Sequence, residues 1–262
     1  MTIQDIYNIL NDYAPFSLQE SYDNSGLLVG DPQQEVKTVL LTLDITIPVV
    51  KEAAEKNADL ILAHHPVIWN PLRSITPEHP VWHLVQHQIG AICSHTCFDI
   101  ADGGLNDLLG ERISQIFPLK EDRLPLAVLS GGRILGKAAD LVSETDADTL
   151  ASNLQAALNC NSLRYYRGTH ADKIRRIAWC TGSGGDLIRD AIKAGADALI
   201  TGDCKHSIWA DAQNLGFTLF DCGHFETEVI ITERFRKILA DAAPELTVLD
   251  SEIGTRPFFQ VI

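Results

Sequence analysis

The pattern of apolar residues in the first half of the chain predicts a strand, a helix and a second strand in that order. KTVLLTLDIT at 37–46 is a β-branched apolar run, and DLILAHHP at 59–66 is another. The segment between them carries apolar residues at the spacing of one helix face, namely Val49, Val50, Ala53 and Ala54. This order is typical of a βαβ unit, from which parallel α/β sheets are built.

The second half of the chain repeats the same order. RRIAWCTGSG at 175–184 predicts a strand, GDLIRDAIKAGA a helix and DALITGDC a further strand. An offset of 138 residues places Ala53 on Ala191 and Asp59 on Asp197. In each half a helix and a strand follow, VWHLVQHQIG with AICSH and IWADAQNLG with FTLFD. We therefore expect an α/β protein of two similar β-α-β-α-β lobes with mainly parallel sheets, related by internal duplication.

A boundary between the lobes is predicted near residue 125. PLKEDRLPLAVLSGGRILGK at 118–137 contains two prolines and a Gly-Gly pair, which favour turns over continued regular structure. The predicted lobes are residues 1–124 and 125–262.

Composition narrows the class of protein. The chain is 45% hydrophobic and 21% charged, which is typical of a globular protein, and its formal charge of −14 disfavours a nucleic acid as partner. No apolar run approaches the ~20 residues of a membrane-spanning helix, and MTIQDIYNILNDYAP lacks signal-peptide features, so we expect a cytoplasmic protein with no membrane partner. The six cysteines form no CxxC pair, so neither a zinc ribbon nor a disulfide scaffold is indicated.

Polar residues gather where the predicted strands end, which is where parallel α/β sheets bind ligands. In the first half these residues are Asp44, His64, His65, His95 and Asp99. In the second half they are the glycine loop at 181–185, Asp203, Asp221, His224 and Glu228. Imidazole and carboxylate together suit Zn, Mn, Fe or Ni.

Two spacings point to metal ligation, and each has an alternative. His64 and His65 precede Pro66 at a strand end, where both rings could turn toward one cleft or could be ordinary loop histidines. His224 and Glu228 are four residues apart, so on a helix they share one face and could bind one ion or form a surface ion pair.

If the two halves face each other, five residues would converge on a dinuclear centre in the cleft between them: His64, His65, Asp99, His224 and Glu228. Asp99 and Glu228 are the expected bridging carboxylates, and the histidines terminal ligands. His95 is the candidate catalytic acid/base, or else a buried strand-end histidine.

Other candidates carry weaker signals. His83 and His87 share a helix face away from the strand ends and are interpreted as surface residues. Cys97 and Cys222 flank proposed ligands and could replace one, or be core thiols. The loop TGSGGD at 181–186 could bind phosphate through its N–H groups, or could serve close packing of the two lobes around small residues.

Several motifs together resemble those of the NIF-three-like family, whose members are often named GTP cyclohydrolase I type 2 homologs. The motifs are YDNSGLLVG, AHHP, SHTCFD with GGLN, CTGSGGDL, TGDCKH and GHFETE, and the resemblance runs from about residue 4 to the terminal PFFQVI. It implies two α/β lobes, two divalent metals between them and, in several members, a hexameric ring. It also implies the same five ligands, carried by HHP, SHTxxD and GHxxxE. The sequence departs from the family pattern at Tyr22, Cys97 and Ser207, which concerns substrate contacts.

The function expected from residues and resemblance together is a metal-dependent hydrolase acting on a small molecule. Its most specific form is GTP cyclohydrolase activity, in which the guanine imidazole ring is opened and formate released. The alternatives are a phosphoesterase, a hydrolase of another cyclic C–N substrate, and a non-catalytic metal-binding regulatory protein. A nucleotide triphosphate would need local cations in so acidic a chain, and the candidates are Arg73, Lys205 and Arg164.

Overall fold

The computed structural model describes residues 1–160, 162–254 and 257–258, and the chain divides into two compact units. The first lobe comprises residues 1–104 and the described residues from 231 onward, and the second lobe residues 105–230. Part of the predicted C-terminal segment, including most of PFFQVI, lies outside the described residues. Within the described residues, no helix has the length and apolar character required to cross a membrane.

The first lobe begins with a helix held at its start by a reciprocal cap. The Thr2 hydroxyl accepts from the Asp5 N–H, and the Asp5 carboxylate accepts from the Thr2 N–H at 2.7 Å. The elements up to residue 104 are α1 (Ile3–Tyr13), β1 (Gly26–Val29), β2 (Thr38–Thr42), α2 (Ile47–Glu55), β3 (Leu60–Ala63), α3 (Pro80–His87), β4 (Gly90–Cys93) and α4 (Thr96–Ile100).

Within the described residues, the sheet of the second lobe has six strands and that of the first lobe has five. The elements of the second lobe are α5 (Leu105–Ile116), β5 (Leu124–Val128), β6 (Ile134–Thr145), α6 (Ala147–Ala157), β7 (Arg164–Tyr166), β8 (Ile174–Trp179), α7 (Ile188–Lys193), β9 (Ala198–Thr201), α8 (His206–Leu215), β10 (Thr218–Asp221) and α9 (His224–Glu228). The chain then returns to the first lobe with α10 (Ile231–Ala242) and β11 (Thr247–Asp250).

The two sheets share a four-strand pattern. The first sheet has the order β1-β4-β3-β2-β11, and the second the order β5-β6-β8-β9-β10-β7. In both, three consecutive strands pair in parallel and a short earlier strand, β1 or β7, lies antiparallel at the edge. The expected class of two similar α/β lobes is confirmed.

The second sheet contains more antiparallel pairing than the sequence suggested. Among the described residues of this sheet, parallel pairs join β8, β9 and β10, whereas β5, β6 and β7 pair antiparallel. The reason is the β5–β6 hairpin, which adds to the outer side of β8 in the position that β11 takes beside β2 in the first sheet. The mainly parallel description therefore fits the first sheet and the centre of the second.

The lobe limits differ from the boundary expected near residue 125 because two helices pack elsewhere. In the second lobe, Trp179 of β8 donates its indole N–H to the Asn106 carbonyl of α5 at 2.8 Å and lies against Gly110. In the first lobe, Phe235 of α10 packs on Phe98, and β11 pairs with β2. A segment predicted for the first lobe thus belongs to the second, and the final helix and strand belong to the first.

Candidate functional site

The ends of β2, β3 and β4 bring three histidines of the first lobe together. The parallel register aligns Thr42 with Ala63 and Ala63 with Cys93, so the three strands end level. The ring centroids of His64 and His65 lie 5.0 Å apart, and His95 lies 5.1 Å and 5.5 Å from them. One potential ligand atom from each of the three lies within 4.8 Å of the others. This spacing allows the rings to bind an ion; we call the three residues the histidine cluster.

Each ring of the histidine cluster is held through Nδ1 by an oxygen atom outside the cluster. The Nδ1 atom of His64 lies 2.8 Å from the Ser94 carbonyl, and that of His65 lies 2.8 Å from Asp44 Oδ1. A carbonyl only accepts, so His64 carries its proton on Nδ1 and the lone pair of a neutral ring on Nε2. Metal-binding histidines typically show this arrangement, because the outer partner fixes both tautomer and ring orientation.

His95 has a buried carboxylate as its outer partner. Its Nδ1 atom lies 2.9 Å from Asp23 Oδ1, and Asp23 also accepts from the Thr96 N–H at 3.0 Å, the Thr96 hydroxyl at 2.6 Å and the Ser25 hydroxyl at 2.9 Å. Burial by itself raises the pKa of Asp23, but the bonds from His95 and Thr96 and the charge of His95 outweigh it. The pKa of Asp23 therefore lies well below its usual value, and the carboxylate stays ionised.

Asp99 lies next to the histidine cluster in the same lobe. It sits on α4 with only 9% of its surface exposed, and its Oδ1 atom is 3.7 Å from Nε2 of His64. The Nε2 side of His64, opposite the Ser94 carbonyl, therefore faces a carboxylate. Such a nitrogen and oxygen at this separation can share one ion.

The second lobe carries the other predicted pair on α9. The Nε2 atom of His224 lies 2.9 Å from Glu228 Oε2, and its Nδ1 atom lies 2.9 Å from Asp203 Oδ2. Glu228 is buried, whereas His224 is one-third exposed. The i, i+4 spacing thus produces the predicted shared face, and Asp203 holds His224 as Asp44 holds His65. We call these two residues the His224–Glu228 pair.

The glycine loop at 181–185 makes room for Glu228. A Cβ atom on Gly182 would overlap Oε1 of Glu228, and the φ of +58° at this position also favours glycine. The N–H groups of Gly182 and Gly184 donate to the hydroxyls of Thr227 and Thr201, at 3.0 Å and 2.9 Å. The loop thus serves close packing within its lobe, and these two N–H groups are already bonded.

The other candidates take structural positions. His83 Nε2 lies 2.8 Å from the Pro77 carbonyl, and His87 is exposed on α3, as expected for surface residues. Burial raises the pKa of Cys97 to about 11 and that of Cys222 well above its usual value, so these thiols resist ionisation at neutral pH. Asp221 pairs with Arg164 at 2.5 Å and accepts from the N–H groups of Cys204 and Gly223, and so shapes the loop before His224.

Sequence reasoning missed Asp23 as part of the site. It lies 72 positions from His95 in the chain, in a segment that the periodicity assigns to no element. The nearest signal was its place in YDNSGLLVG, a motif noted for its resemblance and not for any role in the site. Glu226 was also missed; it is buried on α9 between His224 and Glu228, and burial raises its pKa.

Comparison with known proteins agrees with the sequence motifs. The family model of Duf34/NIF3 (NGG1p interacting factor 3) matches residues 1–257. The chain belongs to the Duf34/NIF3 family. The resemblance stated from the motifs is therefore confirmed over nearly the whole chain.

Individual relatives span most of the chain as well. A Clostridium perfringens protein named GTP cyclohydrolase 1 type 2 homolog is 36% identical over 232 residues, which is 87% of each chain. The NIF3-like protein 1 of Drosophila melanogaster is 32% identical over 263 residues, 96% of this chain and 87% of the relative. The crystal structure of a Staphylococcus aureus hypothetical protein covers 100% of this chain and 99% of its own, with a TM-score of 0.89 and 29% identity.

Proposed function

We propose that the protein is a metal-dependent hydrolase whose ligands are His64, His65, Asp99, His224 and Glu228. The proposal rests on one arrangement that His64, His65 and His224 have in common. Each is held through Nδ1 by an oxygen atom, from Ser94, Asp44 or Asp203, which fixes the ring orientation and leaves Nε2 on the opposite side of the ring from that oxygen. A buried carboxylate lies near Nε2 of His64 and near Nε2 of His224, namely Asp99 and Glu228.

The donor set fits divalent ions of intermediate softness. Three imidazoles and two carboxylates suit Zn, Fe, Mn or Ni better than Mg or Ca. Two ions per chain, with Asp99 and Glu228 as bridging carboxylates, remain our proposal for how the histidine cluster and the His224–Glu228 pair are used. A bound divalent metal lowers the pKa of its water ligand toward ~7 and so supplies hydroxide at neutral pH.

His95 is proposed as the residue that moves a proton. Its Nδ1 atom is fixed by the ionised carboxylate of Asp23, so a neutral His95 keeps its proton on Nδ1 and presents the Nε2 lone pair as a base. Asp23 also stabilises the imidazolium that forms when Nε2 takes up a proton. The ring is 14% exposed, which leaves access for a substrate while most of it is shielded from water.

The proposed substrate is a small molecule with a cyclic C–N bond, most specifically GTP. The name of the Clostridium perfringens relative supports this choice. The reaction would hydrolyse the imidazole ring of guanine at C8, release that carbon as formate, and re-close the remainder to a dihydropterin triphosphate. Of the three cations considered for the triphosphate, Arg164 is paired with Asp221, which favours Arg73 and Lys205. A cytoplasmic location and a homo-oligomeric ring belong to the same proposal.

Incubation of the metal-loaded protein with GTP tests this function. We expect formate release together with pterin fluorescence. If neither is seen, a panel of other nucleotides, cyclic C–N compounds and phosphoesters identifies which hydrolase it is. A protein that retains its metal and turns over nothing on that panel would instead be a metal-binding regulatory protein.

A further inference from the structure

An exposed tryptophan lies directly beside His95. The ring centroid of Trp69 is 5.1 Å from that of His95, and the two planes are nearly perpendicular at 85°. Trp69 nevertheless keeps 47% of its surface exposed. A large aromatic surface is therefore accessible next to the residue proposed to move a proton.

The backbone around Trp69 is fixed to the same part of the first lobe as the histidine cluster. The Asn24 side-chain amide donates to the Ile68 carbonyl at 2.7 Å, and the adjoining Asp23 bonds to His95. Pro66 and Pro71 lie three positions before and two positions after Trp69, and both restrict the chain. The indole is thus held beside His95 by the same segment that orients the imidazole.

The other tryptophans have different surroundings. Trp179 and Trp209 donate their indole N–H groups to backbone carbonyls, those of Asn106 and Cys204. Trp82 is 42% exposed on α3. Among the tryptophans of the described residues, Trp69 is the one whose ring contacts His95. Trp82 therefore resembles Trp69 in exposure, which makes it a matched control.

We propose that Trp69 is a specificity-determining residue that stacks on the planar heterocyclic ring of the substrate, a base of the purine class, and holds it beside His95. This inference rests on the proposed function. Stacking on an indole depends on a flat π surface, which a base provides and a phosphate does not.

The test measures binding and turnover separately in the metal-loaded protein. Calorimetry gives the affinity for GTP and for inorganic tripolyphosphate, and formate release gives KM and kcat. We expect Trp69→Ala to weaken GTP binding and raise KM by about tenfold, with tripolyphosphate binding unchanged. Trp69→Phe retains a ring for stacking and should stay within about threefold of wild type. Trp82→Ala should match wild type in both affinities.

Several results would overturn the inference. One is an unchanged GTP affinity in Trp69→Ala, and another is an equal loss of affinity for GTP and tripolyphosphate in that variant. A changed sedimentation coefficient of Trp69→Ala without a binding defect would also overturn it. So would a wild-type protein that binds neither GTP nor purine nucleosides. Binding of GTP that depends on Trp69 without formate release would refute GTP cyclohydrolase activity and leave the stacking role intact. Formate release with an unaltered KM in Trp69→Ala would refute the stacking role and leave the hydrolase intact.

Discussion

Asp59 and Asp197 make the same pair of hydrogen bonds in the two lobes. Oδ2 of Asp59 accepts from the N–H groups of Lys37 and Thr38 at 2.8 Å and 2.9 Å. Oδ2 of Asp197 accepts from the N–H groups of Arg175 and Arg176 at 2.7 Å and 2.9 Å. Donors and acceptors are related by the offset of 138 residues found in the sequence. Such agreement in side-chain bonding, beyond strand order, supports internal duplication.

Removing either carboxylate should destabilise its own lobe. Each one satisfies two backbone donors where a parallel strand begins, so Asp59→Ala and Asp197→Ala should each lower the free energy of unfolding by about 1 kcal/mol. Hydrogen exchange resolved by segment checks the location of the effect. Asp59→Ala should increase exchange in β2 and β3, and Asp197→Ala in β8 and β9. An effect of Asp59→Ala confined to the second lobe would contradict the assignment.

The sequence indicates the parallel centre of each lobe because three apolar runs with helices between them leave few topologies. It does not indicate β11, since TVLD at 247–250 is short and pairs with β2, more than 200 positions away. Pairing over such a separation is set by the completed first lobe and not by any local pattern. The difference between the predicted boundary near residue 125 and the observed limits of the lobes has the same origin.

The site shows a similar division. His64, His65 and Asp99 follow predicted strands of the first lobe, His224 and Glu228 follow one of the second, and the carboxyl ends of parallel strands meet at one edge of each sheet. The groups that hold these histidines and His95 through Nδ1 are of two kinds. Asp44 and Asp203 also follow strands, whereas Asp23 comes from a loop and the Ser94 oxygen belongs to the backbone. Neither of the latter two has a signature that periodicity could reveal.

Metal content tests the proposed ligands directly. The protein purified without chelator should contain about two divalent ions per chain, as two-metal hydrolase sites do. His65→Ala should reduce the content chiefly by one ion, whereas Asp99→Ala or Glu228→Ala should affect both if these carboxylates bridge. Elemental analysis gives the counts, and His83→Ala on α3 is the control. A native protein that takes up no added metal would contradict the whole ligand set.

Gly182 should be required for the position of Glu228. In Gly182→Ala the new Cβ would overlap the Glu228 carboxylate and occupy a backbone conformation with positive φ, so we expect a loss of metal and a less stable second lobe. Gly131→Ala is the matched control, because Gly131 also has positive φ (+78°), but a Cβ atom added there would meet open space. Similar metal content in the two variants would show that Glu228 can move aside without loss.

Glu52 should make stability depend on pH in the acid range. Burial alone raises the pKa of Glu52, but bonds from the Ser251 hydroxyl at 2.5 Å, Lys56 at 2.9 Å and the Glu252 N–H at 2.7 Å outweigh it. Its pKa in the folded protein is therefore below the ordinary value. The stability it contributes is present above the unfolded pKa and is lost as pH falls through the folded pKa.

Glu52→Gln should accordingly lower the free energy of unfolding at pH 7 by about 1–3 kcal/mol and flatten its decline below about pH 4.5. Urea unfolding at several pH values measures both effects. Glu55→Gln, an exposed change on the same helix, controls for the loss of charge. If the free energy of unfolding declines equally with falling pH in the two variants, the bonds of Glu52 to the segment after β11 contribute nothing to stability.

His95 is the residue for which ligand and catalyst must be separated. Its ring lies within ligand range of His64 and His65, and its Nδ1 atom is held by an ionised carboxylate, an arrangement that suits a metal ligand and an acid/base imidazole alike. We predict that His95→Gln keeps metal content near wild type and lowers turnover by on the order of 10²-fold or more, the usual scale for a general acid/base. Asp23→Asn should keep the ring in place and cause a smaller loss of the same kind, because an amide stabilises imidazolium less than a carboxylate does. Wild-type turnover in fully metallated His95→Gln would make His95 a packed strand-end histidine, and loss of metal would make it a sixth ligand.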